Sequence, residues 1–275
     1  MMKLLLAILF SIITINVYSQ RYFEIGAFGG ISYYNGDLNP SQHLKPSNNH
    51  LAVGLIARQV LNSRWALRGS LNIGNLSGSD SESNDPFQQQ RNLSFYTRIY
   101  ELSAGIEFNF RKFNPFNPPS AFRQADIFTP FVFIGIGGFY FNPKTELDGN
   151  EYELQPLKTE GEEYSRIGVS IPFGVGCKLR VSQRTLVSFE YGLRQTFTDY
   201  IDDVSSVYPE NPNELNQTTR KLSDRSVMQQ GSDGSNWGTQ RGNSKTTDWY
   251  SFVGVTLTFN LTVNPHRCHF NQDKL

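Results

Sequence analysis

The chain has 275 residues with 25 basic and 25 acidic side chains, and this even balance, without a clustered basic stripe, excludes nucleic-acid binding. Hydrophobic residues make up only 38% and mean hydropathy is -0.41, which excludes a helical membrane bundle, yet 21 Phe and 13 Tyr are many. A β-barrel reconciles these figures, because only alternate strand positions need be apolar and aromatic residues gather at both lipid interfaces.

Residues 1–19 have the form of a secretory signal peptide: Lys3 is the basic start, 4–17 the apolar stretch, and Val17-Tyr18-Ser19 a cleavage site before Gln20. The apolar run falls short of the roughly 20 residues that cross a bilayer. No lipobox cysteine follows it, so the expectation is cleavage near Gln20 rather than lipid anchoring.

Eight segments then alternate apolar and polar positions. A first strand is expected over 23–34, with Phe23, Ile25, Ala27, Ile31 and Tyr33 on one side, before Asn35-Gly36-Asp37 opens a loop. A second strand over 51–61 returns through Asn62-Ser63 into a third over 65–75, a hairpin. The stretch 78–92 is polar and reads as a loop. The fourth strand, within 93–111, places Tyr100, Leu102, Ala104, Ile106, Phe108 and Phe110 on one face. Residues 112–127 carry Asn114-Pro115-Phe116-Asn117-Pro118-Pro119, which cannot be a central strand because proline donates no ladder hydrogen bond. The fifth strand, 128–142, is rich in Phe, Ile and Gly, so its facing stays open; its glycines would make room for bulky interior neighbours. A polar, acidic loop over 143–165 precedes strand six at 166–181, a tight joint at Ser182-Gln183-Arg184 and strand seven at 185–197. The stretch 199–248 is expected to be a large loop, flexible over 205–245. The last strand, 249–261, alternates Trp249, Val253, Val255, Leu257, Phe259 and Leu261 with Tyr250, Gly254, Thr256 and Thr258.

These segments predict an all-β fold: an eight-stranded antiparallel outer-membrane β-barrel over 20–261, followed by a periplasmic tail at 262–275. Joints two and six are tight and the odd joints long, as expected for periplasmic turns and extracellular loops, with both termini periplasmic. A soluble lipocalin-like barrel would reverse the pattern and point its apolar face inward. Here the polar face carries Glu24, Arg58, Arg68, Glu101, Glu107, Lys178, Arg180, Glu190 and Arg194. This mixed-sign set would pair inside a narrow lumen and plug it.

Little in the chain speaks for chemistry. The histidines, His43, His50, His266 and His269, lie in the first loop or its edge and in the tail, with none inside a strand. No nucleophile elbow or metal-ligand spacing accompanies them, so neither an enzyme nor a cofactor is expected. His266-Arg267-Cys268-His269 lacks a second ligand pair, and a solvated tail is its default reading. Cys177 shares an apolar face with Phe173, Val175 and Leu179, whereas Cys268 has no internal mate in an oxidising compartment and suggests an intermolecular disulfide.

Two stretches go beyond fold class: Phe23-Glu24-Ile25-Gly26-Ala27-Phe28-Gly29-Gly30-Ile31-Ser32-Tyr33-Tyr34-Asn35-Gly36-Asp37-Leu38-Asn39 and Gly192-Leu193-Arg194-Gln195-Thr196-Phe197-Thr198-Asp199-Tyr200-Ile201-Asp202-Asp203-Val204-Ser205. Together they resemble the PorG family, outer-membrane barrels of Bacteroidota associated with the type IX secretion system and, in gliding species, with motility. The resemblance implies a non-enzymatic barrel that anchors a periplasmic ring made of a lipoprotein and its ring partner. It also implies a link from Cys268 to the ring lipoprotein. The rim motif Thr196, Thr198, Asp199, Tyr200, Asp202 and Asp203 is expected to cap strand seven through local side-chain to backbone bonds rather than bind calcium, since no glycine-centred acidic loop follows. The alternative role is a surface barrel whose long loops bind a ligand or host surface.

Overall fold

The computed structural model describes residues 22–39, 49–113, 127–182, 184–228 and 236–261. The signal peptide, the proline-rich connector, His43, His266, Cys268, His269 and the tail 262–275 lie outside these residues.

Ten strands form one antiparallel sheet: β1 (Tyr22–Asn35), β2 (His50–Val60), β3 (Trp65–Ser79), β4 (Ser94–Asn109), β5 (Phe128–Tyr140), β6 (Lys144–Leu147), β7 (Asn150–Glu153), β8 (Ile167–Arg180), β9 (Thr185–Thr196) and β10 (Trp249–Asn260). Eight of them run in the order β3-β2-β1-β10-β9-β8-β5-β4, and pairing of β3 with β4 closes the ring. Closure leaves the barrel wall no free edge, a requirement for backbone surrounded by hydrocarbon. Both ends of the strand series meet at one rim, where Glu24 pairs with Asn260, alongside the short turns after Val60 and Arg180. The longer connections, apart from the one between β4 and β5, gather at the other rim.

Burial is inverted relative to a soluble barrel. Leu51, Leu102 and Ile136 are 75%, 68% and 71% exposed, while Arg58, Glu101 and Glu107 are at 0%. An apolar exterior around a charged interior is stable only with lipid outside. Aromatic side chains mark both ends of the wall: Trp65 packs against Phe108 near the turn rim, with ring centroids 4.8 Å apart and planes tilted by 55°, and Tyr100 pairs with Tyr140 near the loop rim.

The open question of β5 has a steric answer. Phe131, Phe133 and Phe139 are buried, facing inward, and each is directly opposed on β8 by a glycine: Gly176, Gly174 and Gly168. A Cβ on Gly168 would meet the Phe139 ring 2.5 Å away, so the missing side chain is what admits the ring. Cys177, a free thiol, is half-buried beside exposed Val175.

Three stretches read as loops contain regular structure. β3 continues to Ser79 because β4 offers it partners as far as Ser94, and the following segment folds into helix α1 (Pro86–Arg91). Asp85 caps this helix by accepting from the Phe87 amide at 2.9 Å, and proline occupies the first turn. The stretch 143–165 holds the β6–β7 hairpin, whose two connecting residues, Asp148 and Gly149, have φ of 53° and 77°. The expected flexible segment 205–245 instead carries helix α2 (Gln217–Ser223) and an isolated bridge between Val207 and Gln240. Tyr208, Leu222 and Arg241 are buried within it, so its described part is packed rather than loose.

Candidate functional site

The polar side chains expected in the lumen come together there. Arg58 on β2 donates to Glu107 on β4 at 3.0 Å and to Glu190 on β9 at 2.9 Å, and lies 3.9 Å from Glu24 on β1. Arg68 bonds Glu190 at 2.8 Å, and Lys178 pairs with Glu107. Three cations thus face three carboxylates in one cluster, which is balanced in formal charge. Higher up, Arg194 donates to Glu101 at 3.0 Å, which also accepts from Tyr250 at 2.8 Å and Asn72 at 3.0 Å. Arg180 turns instead to the Ser182 carbonyl, 3.2 Å away at the rim. Phe133 lies under Arg68 with its ring centre 3.9 Å from the guanidinium carbon. The cavities beside Arg68, Ser70, Phe133 and Arg194 in this network are each of about 10 Å³, hardly enough for one water. The described lumen is plugged by its own side chains.

Over the loop rim sits a folded cap made from four connections, and two buried arginines hold it. Arg91 grips Asp80 through both carboxylate oxygens at 2.8 Å and donates to the carbonyls of Arg241 at 2.5 Å and Asp37 at 3.0 Å. Arg241 donates to Glu160 at 3.0 Å, to the Asp203 carbonyl at 2.5 Å and to the Ser223 carbonyl at 3.2 Å. Glu160 in turn accepts from the amides of Ser205 and Ser206 at 2.9 and 3.0 Å. Beneath the arginines, Leu38, Leu76, Leu93, Phe141, Leu154, Ile201 and Val204 form an apolar core continuous with the barrel interior. Tyr200 stacks on Tyr164 with ring centroids 4.6 Å apart.

The rim motif lies at the centre of this cap, and its bonding extends well beyond local capping. The Thr196 hydroxyl lies 2.9 Å from the Thr198 carbonyl and Asp202 accepts from the Val204 amide at 2.9 Å, as local capping requires, but the shorter Thr196 contact, 2.6 Å, is to the carbonyl of Asp248, 52 residues away. Asp203, however, accepts from Tyr164 at 2.6 Å and from Thr159, both on another connection, and takes a left-handed φ of 67°. Tyr34 places its hydroxyl 2.6 Å from Asp202 and 2.6 Å from Asp248. Gly36 is obligatory here, since a Cβ would strike both the Tyr34 hydroxyl and the Asp248 carboxylate. Burial lifts Asp203 to about 6, with Arg241 pulling the other way, and lifts Asp248 to about 7. Asp202 is raised well above the carboxylate range, first by burial and then by the charges of Asp248 and Asp37.

Among the described residues no group of His, Cys, Asp and Glu is arranged to hold a metal. His50 lies at the edge of the first loop as the first residue of β2, and its Nε2 lies 2.6 Å from the Ser77 hydroxyl. Cys268 falls outside the described residues.

The family described as a domain of unknown function, DUF6089, matches residues 3–223. The chain belongs to this family. No curated protein matches the DUF6089 chain by sequence. Among solved structures it is similar to Ail of Yersinia pestis, crystallised with the heparin analogue sucrose octasulfate, at 11% identity over 87% of this chain and 97% of that one, with a TM-score of 0.39. Neisserial surface protein A gives 8% identity over 88% and 97%, with a TM-score of 0.40. A major outer membrane protein of Thermus thermophilus gives 10% identity over 87% and 98%, also at 0.40. The inverted burial and closed sheet of this DUF6089 member make it an outer-membrane barrel. None of its described helices is long and apolar enough to cross a membrane.

Proposed function

We propose that this chain is a non-enzymatic outer-membrane barrel that anchors the periplasmic ring of the type IX secretion machinery, and of the gliding machinery where the host glides. The observation that carries a structural role is the filled lumen, because a barrel closed by a balanced ion-pair cluster offers no path for a solute and acts through its surfaces. The specific machine rests on the resemblance of 23–39 and 192–205 to PorG. In this reading the short turns face the periplasm, Cys268 follows β10 on that side, and the partners are outer-membrane lipid, the ring lipoprotein and its ring partner. The test is affinity capture of the full chain from detergent-solubilised outer membranes. Wild type is expected to retain a periplasmic lipoprotein, Cys268→Ser to weaken that retention, and deletion within 205–245 to leave it unchanged. Equal recovery from wild type and Cys268→Ser would remove the covalent link, and no lipoprotein in either would remove the anchor.

The folded cap favours a second reading, in which the loop rim recognises a ligand or surface outside the cell. A cap held by two buried arginines presents a fixed shape, and fixed shape is what recognition by loops requires. Under this reading the loop deletion, and not Cys268→Ser, abolishes function.

A further inference from the structure

The outer wall carries a feature that neither plugging nor capping employs. Above the Tyr100–Tyr140 pair, where Tyr96 on β4 pairs with Lys144 on β6, the β6–β7 hairpin borders a cleft of about 660 Å³. This is the size of a small-molecule site, typically about 300–1,000 Å³. Among the residues lining it are Asn75, Tyr96, Arg98, Tyr100, Lys144 and the carboxylate-bearing Glu151. Arg98 is exposed and held by its Nε, which donates to Asn75 Oδ1 at 3.0 Å. That bond fixes the plane of the guanidinium, and among the described residues neither terminal nitrogen has a hydrogen-bond partner. Among the described residues no carboxylate stands within ion-pair distance of Arg98, whereas the neighbouring Lys144 is paired with Glu151 at 2.6 Å. The cleft therefore carries one uncompensated positive charge.

Its position on the wall says what chemistry would meet that charge. Directly below, on β4 and β5, lie Leu102, Ile106, Ile134 and Ile136, all exposed on the outer wall. Leu102 is opposed by Gly138, whose missing Cβ leaves open space and a shallow track down the wall. The tyrosines sit between this apolar lane and the polar cleft, where rings with one apolar and one polar end collect in membrane barrels. A free anion would satisfy Arg98 but leave the lane unused.

We propose that this cleft is a lipid site, in which Arg98 binds the phosphate of a lipid from the leaflet around the loop rim while the acyl chains lie along Leu102 and Ile136. A guanidinium fork matches two phosphate oxygens at once, which gives the site a preference for accessible phosphate over a zwitterionic headgroup. Tyr96 and Lys144, already joined through Glu151, form the outer wall of the headgroup pocket.

The experiment is native mass spectrometry of the full chain in detergent, titrated with phosphatidic acid, phosphatidylcholine or inorganic phosphate. Wild type is expected to hold one phosphatidic acid at least about tenfold more tightly than phosphatidylcholine, a gap of about 1.4 kcal/mol. Arg98→Gln should abolish that preference with the heat-modifiable gel mobility of the folded barrel unchanged. Arg64→Gln, which removes an exposed arginine near the opposite rim, should not change it. Equal phosphatidic acid binding by wild type and Arg98→Gln, or equal loss in both variants, would overturn the site. Displacement of the lipid by millimolar inorganic phosphate would overturn the lipid as its occupant.

Discussion

The ring of Phe139 on β5 fills the place that a side chain on Gly168 would occupy, and the two residues are directly opposed across the β5–β8 ladder. All three of the nearest atoms to an added Cβ at Gly168 belong to that ring, so this pair isolates the steric effect from the backbone. Gly168→Ala is expected to destabilise the barrel by about 1–3 kcal/mol, as overpacking does. In a Phe139→Leu background the same alanine should cost little. Urea unfolding followed by gel mobility measures the cycle, and additive effects would show that the ring is not what excludes the methyl.

The strands were legible because alternation is local: a stretch such as Leu102 to Phe110 shows its two faces without reference to the rest of the chain. The inward set Glu24, Arg58, Arg68, Glu101, Glu107, Glu190 and Arg194 followed from the same period. Asp148-Gly149 was a readable hairpin signal, hidden by its short, charged flanking strands, Lys144–Leu147 and Asn150–Glu153. The facing of β5 was not legible from β5 itself, because both its faces are apolar and the deciding glycines lie on β8. The cap was less legible still. Arg91 and the Arg241 carbonyl are 150 residues apart, and the polar composition of 199–248 suits disorder until such distant partners are known. The rim aspartates were found by motif, but their partners, Tyr34 on β1 and Thr159 and Tyr164 on the third connection, are distant in sequence and carry no local signal.

The ion-pair cluster predicts a stable, closed barrel. Arg58→Met leaves Glu107 and Glu190 short of a cation in a buried setting, and such a broken pair costs about 3–5 kcal/mol. The variant should unfold at clearly lower urea concentration. Wild-type protein in planar bilayers should give no sustained conductance, and a steady open level would contradict the plugged lumen.

Arg241 predicts a separation between cap and wall. Arg241→Met removes the donor that joins Glu160, Asp203 and Ser223, leaving two buried carboxylates uncompensated at a local cost of about 3–5 kcal/mol. Limited proteolysis should then cut within 199–248 far faster than in wild type, while the folded-barrel mobility persists. Equal protease resistance in both proteins would mean that the cap does not depend on this residue.

The Tyr34 contacts predict that the cap responds to pH. A phenol has one proton, so it donates to only one of the two oxygens 2.6 Å away; the other aspartate must carry a proton and donate back. The closed cap thus binds a proton that an opened cap releases. The groups facing this proton are mostly acidic: Asp37 lies on the first connection and Glu160 on the third, while Asp199 is close in the chain, with Arg91 as the opposing cation. Burial raises Asp248 to about 7 in the folded protein, above the ordinary carboxylate value. A raised folded-state pKa stabilises fully below the unfolded value and loses that contribution as pH climbs through the folded one, so the cap should loosen from near pH 7 upward. Each unit above that point should lower protection by up to about tenfold. Hydrogen exchange of the amides of Ile201 and Val204, which Asp248 and Asp202 accept, reads this directly. Asp202→Asn supplies a neutral amide donor to the tyrosine oxygen and should flatten the dependence between pH 6 and about 8. A wild-type cap whose protection does not change across that range, after correction for intrinsic exchange, would exclude the shared proton.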